Sequence, residues 1–338
     1  MIAPNNEFIT ELKLDLLQAF TVENFVDEIL CIHEGRKAVI LNLNLRKIFI
    51  ADAESGEVVG VSFGHLSKRF KNEPFDDTQK GASFLYKQGF GIVYDDMILL
   101  FEDPNSIEYK IVPISNPLRR ELVPGIPKPN NVFKAFYQEE TNRLYLLFDQ
   151  MQARKALAFF SVIVLSESSA AFEFQPRHFE FPETHPEFNH HVDFNKVNNF
   201  TIPVTFLMYQ NELVLASYGR AFNLSFGKTP KRIYFSTLNE SFQGKEIRYD
   251  FPNNYTNCVI TSDSKFIGWV HTDKAKKDTL LLDLETKRQF RINLKSKKNN
   301  FERFDPRTTG IFNLSHHYFW YSNGGDAVNC YRIKNEYI

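Results

Sequence analysis

Between His185 and Asp193 the chain places His185, Glu187, His190, His191 and Asp193, its densest group of side chains able to ligate a metal. Imidazole nitrogen and carboxylate oxygen are donors that zinc and related divalent ions accept. The spacing matches no established ligand pattern, and Pro186 interrupts any helical register that would gather these groups on one side. The segment therefore reads as an exposed polar loop, with a metal site as the alternative, and no cofactor is expected. His316 and His317 precede the apolar run Tyr318-Phe319-Trp320; one imidazole facing the sheet and one facing a turn is the expectation there. Local signatures of catalysis are missing. The sequence has no G-x-S-x-G, no phosphate-binding loop, no H-E-x-x-H and no glycine-rich dinucleotide fingerprint.

A second kind of chemistry is distributed rather than clustered. Four polar segments, 65–81, 116–130, 183–198 and 295–307, carry formal charges of +1, +2, −2 and +3, a surplus of four positive charges on a chain whose net charge is −1. Phe70, Phe75, Phe188, Phe194, Phe301 and Phe304 interleave with them. Arginine and aromatic rings are the favoured anchors of recognition surfaces. Arg119, Arg120, Phe188, Lys297, Lys298, Phe301 and Arg303 are accordingly the candidate binding residues, facing a protein partner or an anionic small ligand. Packing of the Phe rings down onto the fold is the competing reading. A surplus of four charges is small for phosphate-backbone binding, so nucleic acid is disfavoured.

What must position these segments is a set of apolar runs of strand length. Phe and Tyr number 34 and 14 of 338 residues, and both favour pleated surfaces. Residues 28–63, 83–114, 132–181, 200–251 and 258–294 each divide into four short apolar runs separated by turn chemistry, such as Ser55-Gly56, Asp95-Asp96 and Asp103-Pro104-Asn105. The run from Ala156 to Leu165 is apolar enough to fit a buried strand or a helix. A last copy, from Thr309 to Asn335, has only three runs. Segment 116–130 contains Pro117, Pro124, Pro127 and Pro129, which excludes it from a sheet interior. Six meanders about 50 residues apart predict an all-β fold, a six-bladed β-propeller in a single domain spanning 1–338. Seven blades are the alternative if the wide region 131–252 hides another unit. The alternating stretch from Glu7 to Leu16 is predicted to supply the missing outer strand and close the ring.

In 258–294 the stretch Ser262-Asp263-Ser264-Lys265-Phe266-Ile267-Gly268-Trp269-Val270 resembles the S-P-D-G-K-x-I-A-W turn and second strand of TolB-like and WD40-like propeller blades. Leu281-Leu282-Asp283-Leu284-Glu285-Thr286-Lys287 is similar to the third strand and hairpin of the same blades. The proline and the small residues of that signature are replaced, and Asp263 is displaced by one. The resemblance covers one blade and implies architecture, not activity.

Cys31, Cys258 and Cys330 are too few and too widely spaced for a disulfide framework and read as buried thiols of a reducing compartment. The N-terminus lacks the basic and apolar regions of a signal peptide, and no apolar run approaches a spanning helix. A soluble cytoplasmic protein is expected, periplasmic or secreted if a leader has been removed. The functional expectation is a non-catalytic binding or scaffold propeller acting through its long inter-blade loops; the alternative is a hydrolase or lyase with its site at the central channel.

Overall fold

The computed structural model describes residues 9–23, 26–42, 46–63, 81–94, 97–103, 105–115, 131–152, 155–178, 192–193, 199–209, 212–221, 232–237, 246–250, 255–260, 266–271, 278–283, 286, 288–293, 311–315, 317–322 and 325–334. Among them the ordered elements are strands and single 3-10 turns. The N-terminal segment forms β1 (Ile9–Leu12) and β2 (Leu14–Thr21). The first sheet contains β3 (Glu28–Ile32), β4 (Lys37–Asn42), β5 (Lys47–Asp52) and β6 (Val58–Ser62). The second contains β7 (Ala82–Tyr86), β8 (Gly89–Tyr94), β9 (Met97–Phe101) and β10 (Lys110–Pro113). The third is built from β11 (Asn131–Gln138), β12 (Arg143–Gln152), β13 (Lys155–Leu165) and β14 (Ala170–His178), with the short β15 (Val192–Asp193) also on β13.

The fourth sheet contains β16 (Asn199–Tyr209), β17 (Glu212–Ala221), β18 (Arg232–Thr237) and β19 (Glu246–Asp250). The fifth contains β20 (Tyr255–Ile260), β21 (Phe266–His271), β22 (Asp278–Asp283) and β23 (Gln289–Asn293). The sixth contains β24 (Ile311–Leu314), β25 (Tyr318–Ser322) and β26 (Ala327–Ile333). Six sheets are thus present among the described residues, each a meander whose consecutive strands pair antiparallel. The ambiguous run in the third meander is a strand, because β13 finds a ladder on both sides, with β12 and with β14.

The cores lie between sheets. In β4, Ala38 and Ile40 join a cluster with Trp320, Val328 and Cys330 of the sixth sheet, while Val39 and Leu41 join one with Phe90, Ile92 and Leu99 of the second. Alternation of period two therefore divides one strand between two interfaces, and β4 is buried on both faces. Equivalent clusters join the second sheet to the third and the fifth to the sixth. First strands stand side by side in succession, β24 beside β3, β3 beside β7, β7 beside β11 and β11 beside β16. Sheets packed face to face, with their first strands gathered about a common axis, make a β-propeller.

The N-terminal segment completes the sixth sheet, but with different residues from those the alternation suggests. β2, not Glu7 to Leu16, is the outer strand, antiparallel to β26 from Leu14↔Ile333 to Thr21↔Ala327. β1 goes to the fifth sheet, parallel to β23. The apolar alternation runs through both strands without a break, so it could not show that the ladder changes partner at Lys13. Packing decides it. Leu12 is buried with Phe290 and Ile292 of the fifth sheet, whereas Phe20 stacks on Trp320 of the sixth with ring centroids 5.6 Å apart.

Cys31 and Cys330 are buried and form no disulfide, as expected of structural thiols, and burial pushes the Cys330 thiol up. Trp320 is fully buried. His317 is exposed beside the turn, and His316 lies outside the described residues. Segment 183–198, expected to be without strand structure, contains β15. Its Val192 and Asp193 pair with Ala156 and Lys155 and carry on the edge that β14 leaves at His178, opposite Phe159.

Candidate functional site at the start of the inner strands

Three first strands carry a polar residue within their first four positions, where the pattern is otherwise apolar. Glu28 opens β3 ahead of Ile29, Leu30 and Cys31; Ser83 is the second residue of β7; Lys134 follows a register shift in β11. Glu28 and Ser83 are buried. The Glu28 carboxylate resolves the cost of its own burial by gathering donors. Its Oε2 accepts the Ser83 backbone N–H at 2.9 Å and the Ser83 hydroxyl at 2.6 Å, and its Oε1 accepts Lys134 Nζ at 3.0 Å.

One carboxylate of the first sheet thus reaches the second and third sheets together, which is possible only near the axis. On the other side of β3, Asn313 Nδ2 of the sixth sheet donates to the carbonyl of Ile29 at 3.3 Å, and the Asn313 Oδ1 accepts the Leu314 N–H. A polar belt therefore crosses four successive inner strands near the axis. Chemically this arrangement is a clamp. A carboxylate that accepts two neutral donors and a cation has its charge compensated in place, and Lys134 is committed to the same contact.

Three of the candidate binding segments directly precede inner strands in the chain. β7 follows segment 65–81 in the chain, β11 follows 116–130 and β24 follows 295–307. Each of those segments therefore ends at the entry to an inner strand. Arg119, Arg120, Phe188, Lys297, Lys298, Phe301 and Arg303 themselves lie outside the described residues, as do His185, Glu187, His190 and His191. Asp193 is placed by its backbone, opposite Lys155. No group of three or more His, Cys, Asp or Glu side chains suited to a metal occurs among the described residues.

A second polar cluster occupies the other end of β3, on the seam between the first and sixth sheets. Glu54 Oε1 accepts the Tyr318 hydroxyl and, at 2.6 Å, Arg332 Nη2. Asp52 accepts the N–H groups of Glu54 and Ser55 at 2.9 and 3.1 Å and pairs with Arg36 at 3.0 Å. Burial would raise the Asp52 carboxyl; the Ser55 and Glu54 N–H groups and Arg36 outweigh it and hold it below its ordinary range. The Tyr318 hydroxyl and Arg332 likewise lower Glu54. Two acids and two guanidiniums compensate each other here, so the cluster reads as a seam contact and not as an anion site.

Sequence reasoning did not find Glu28, Ser83 or Lys134, because the carboxylate and the amine are 106 positions apart. The signal that could have found them is a charged residue at the mouth of an apolar inner-strand run, as in Glu28 before ILCI and Lys134 between VF and AF.

No helix among the described residues is long and apolar enough to cross a membrane. No protein-family model matches the sequence, and no curated protein matches it. Three solved structures that are similar to the chain come from different proteins. Hydrazine synthase of Kuenenia stuttgartiensis is 12% identical with a TM-score of 0.40, over 95% of this chain and 80% of that one. Apo AztD of Citrobacter koseri is 8% identical with a TM-score of 0.44, over 91% and 82%. The β-propeller domain of Cps50 (Swd1) from Myceliophteria thermophila is 8% identical with a TM-score of 0.40, over 91% and 84%. At these values no site residue passes from any of them to this chain, and the propeller assignment rests on the sheets themselves.

Proposed function

We propose that the protein is a non-catalytic binding propeller, a single domain of six blades, whose recognition surface is the face where the inter-blade segments enter the inner strands. The partner is a protein with an acidic surface, or an anionic ligand, met by Arg119, Arg120, Phe188, Lys297, Lys298, Phe301 and Arg303. The observation that carries this reading is the Glu28–Ser83–Lys134 clamp. It ties together the starts of three inner strands, which gives the segments ending there a rigid frame on which to hold side chains. The same clamp weighs against a hydrolase or lyase at the axis. A general base needs a lone pair turned to substrate, and Glu28 accepts from Ser83 and Lys134 instead. Buried thiols favour a cytoplasmic setting for this binding role.

The test is charge reversal at Arg119, Arg120, Lys297 and Lys298 in the full chain. Loss of partner retention, with an unchanged melting temperature, is the expected result. Retention equal to that of the unaltered protein removes these residues from the recognition surface.

A further inference from the structure

The fifth sheet has its four strands, β20 to β23, before β1 is added, and ring closure needs only β2. β1 is therefore a supernumerary strand, and it is unusual in kind. It runs parallel to β23 with Ile9↔Gln289, Thr10↔Phe290, Glu11↔Arg291 and Leu12↔Ile292, while every other ladder between strands of the described residues is antiparallel. Of the four residues in this parallel ladder, Leu12 is the buried one. Leu12 is 3% exposed and joins Phe290 and Ile292 in the core between the fifth and sixth sheets. Ile9 is 36% exposed, and Thr10 and Glu11 are exposed as well. A short strand with so little buried area belongs to the part of a fold that opens most readily.

We propose that the outer edge of β23 is a docking site for an extended acidic–aliphatic peptide of another protein, and that β1 occupies it in cis as a pseudo-ligand. The cis strand shows the chemistry required. Main-chain bonds along β23 supply affinity, a carboxylate stands opposite Arg291 as Glu11 does, and an aliphatic side chain follows it into the position of Leu12. The reach of the chain argues against a second copy of β1 as the occupant. Lys13 alone separates β1 from Leu14, where the β2 ladder begins, and its carbonyl accepts the Lys334 N–H at 2.9 Å. One residue spans only about 3.5 Å, so handing β1 to a neighbour would tear open β2, whereas swinging it aside turns only at Lys13. This site is separate from the connector face and does not depend on that reading.

The probe is a fluorescent peptide with the chain's own sequence from Phe8 to Lys13, measured by anisotropy against the full chain and its Leu12→Asp variant. The variant, having lost the plug that holds β1 down, should bind the peptide at least about tenfold more tightly than the unaltered chain, since competition in cis lowers the competent fraction. A peptide with Lys in place of the Glu should bind poorly, and Arg291→Glu added to the variant should restore it. Equal binding by both chains, equal binding of a scrambled peptide, or dimers of Leu12→Asp without peptide binding each overturn the proposal. Hydrogen exchange on the unaltered chain gives an independent reading. β1 amides should exchange faster than those of β2, and equal protection of the two strands overturns the proposal even if the variant does not fold.

Discussion

The indole N–H of Trp320 donates to the backbone carbonyl of Gly35 at 2.7 Å, joining the last sheet to the first across 285 positions of sequence. Gly35 has a φ of +84°, and a Cβ there would stand 1.9 Å from Ser315 Oγ. Only glycine lets the first sheet's hairpin approach the last sheet closely enough for this bond. Trp320 also stacks on Phe20 of β2, so one side chain links the closing strand, the last sheet and the first.

Trp320→Phe keeps a ring in the seam but leaves the Gly35 carbonyl without its donor. An unsatisfied buried acceptor costs about 1–3 kcal/mol, and denaturant unfolding should show a loss of that size. An unchanged midpoint would mean that the seam does not depend on the bond.

The register of the closing strand separates two expectations for its side chains. Phe20→Ala empties a place in the core between the sixth and first sheets and should cost about 3 kcal/mol. Leu16→Ala, at a position that is exposed, should stay within about 0.5 kcal/mol. Were Glu7 to Leu16 the outer strand, the order of the two effects would reverse.

The axial clamp predicts a large penalty for removing one partner. Lys134→Met leaves the Glu28 carboxylate buried with only Ser83 as donor, and breaking a buried pair in this way costs about 3–5 kcal/mol. Glu28→Gln combined with Lys134→Met should recover part of that loss, which a double-mutant cycle by chemical denaturation would measure. Purely additive effects would show that the two residues are not coupled.

The seam should respond to pH at both extremes. The Tyr318 hydroxyl and Arg332 lower the folded-state pKa of Glu54, so the stability from this contact is present above the ordinary carboxylate value of about 4.3 and is lost as pH falls through the depressed folded value. Burial, and then Glu54, push the Tyr318 hydroxyl up to about 12; its contribution is present below about 10 and is lost as pH rises through that raised value. Melting temperatures of the unaltered chain and of Glu54→Gln should therefore differ at neutral pH, converge at acid pH and draw closer at alkaline pH, where Arg332 still pairs with Glu54 but the Tyr318 hydroxyl no longer donates. A constant difference from acid to alkaline pH would contradict the contact.

Much of the fold could be read from the chain because the information is local. The runs KAVILN and KIFIAD are buried on both faces, and short turns between such runs leave a meander as the simplest pairing. Ala156 to Leu165 alone fits a strand or a helix, since a run this apolar shows neither period; β12 and β14 on its flanks determine it. At the N-terminus, Leu12 and Leu14 belong to one alternating pattern yet to different sheets, because the choice depends on Phe290 and Ile333, some 280 and 320 positions away. The axial clamp was invisible for the same reason. Glu28, Ser83 and Lys134 have no local spacing and meet only when three meanders close around one axis.

Cross-linking mass spectrometry on the captured complex tests the central claim, recognition by the connector face, most directly. Lys68, Lys71, Lys80, Lys128, Lys297 and Lys298 belong to the segments that end at the inner-strand starts, while Lys37 opens β4 at the far end of β3. The account predicts that links to the partner concentrate on the connector lysines and that Lys37 gives none. Links concentrated at Lys37, with the connector lysines silent, would contradict it.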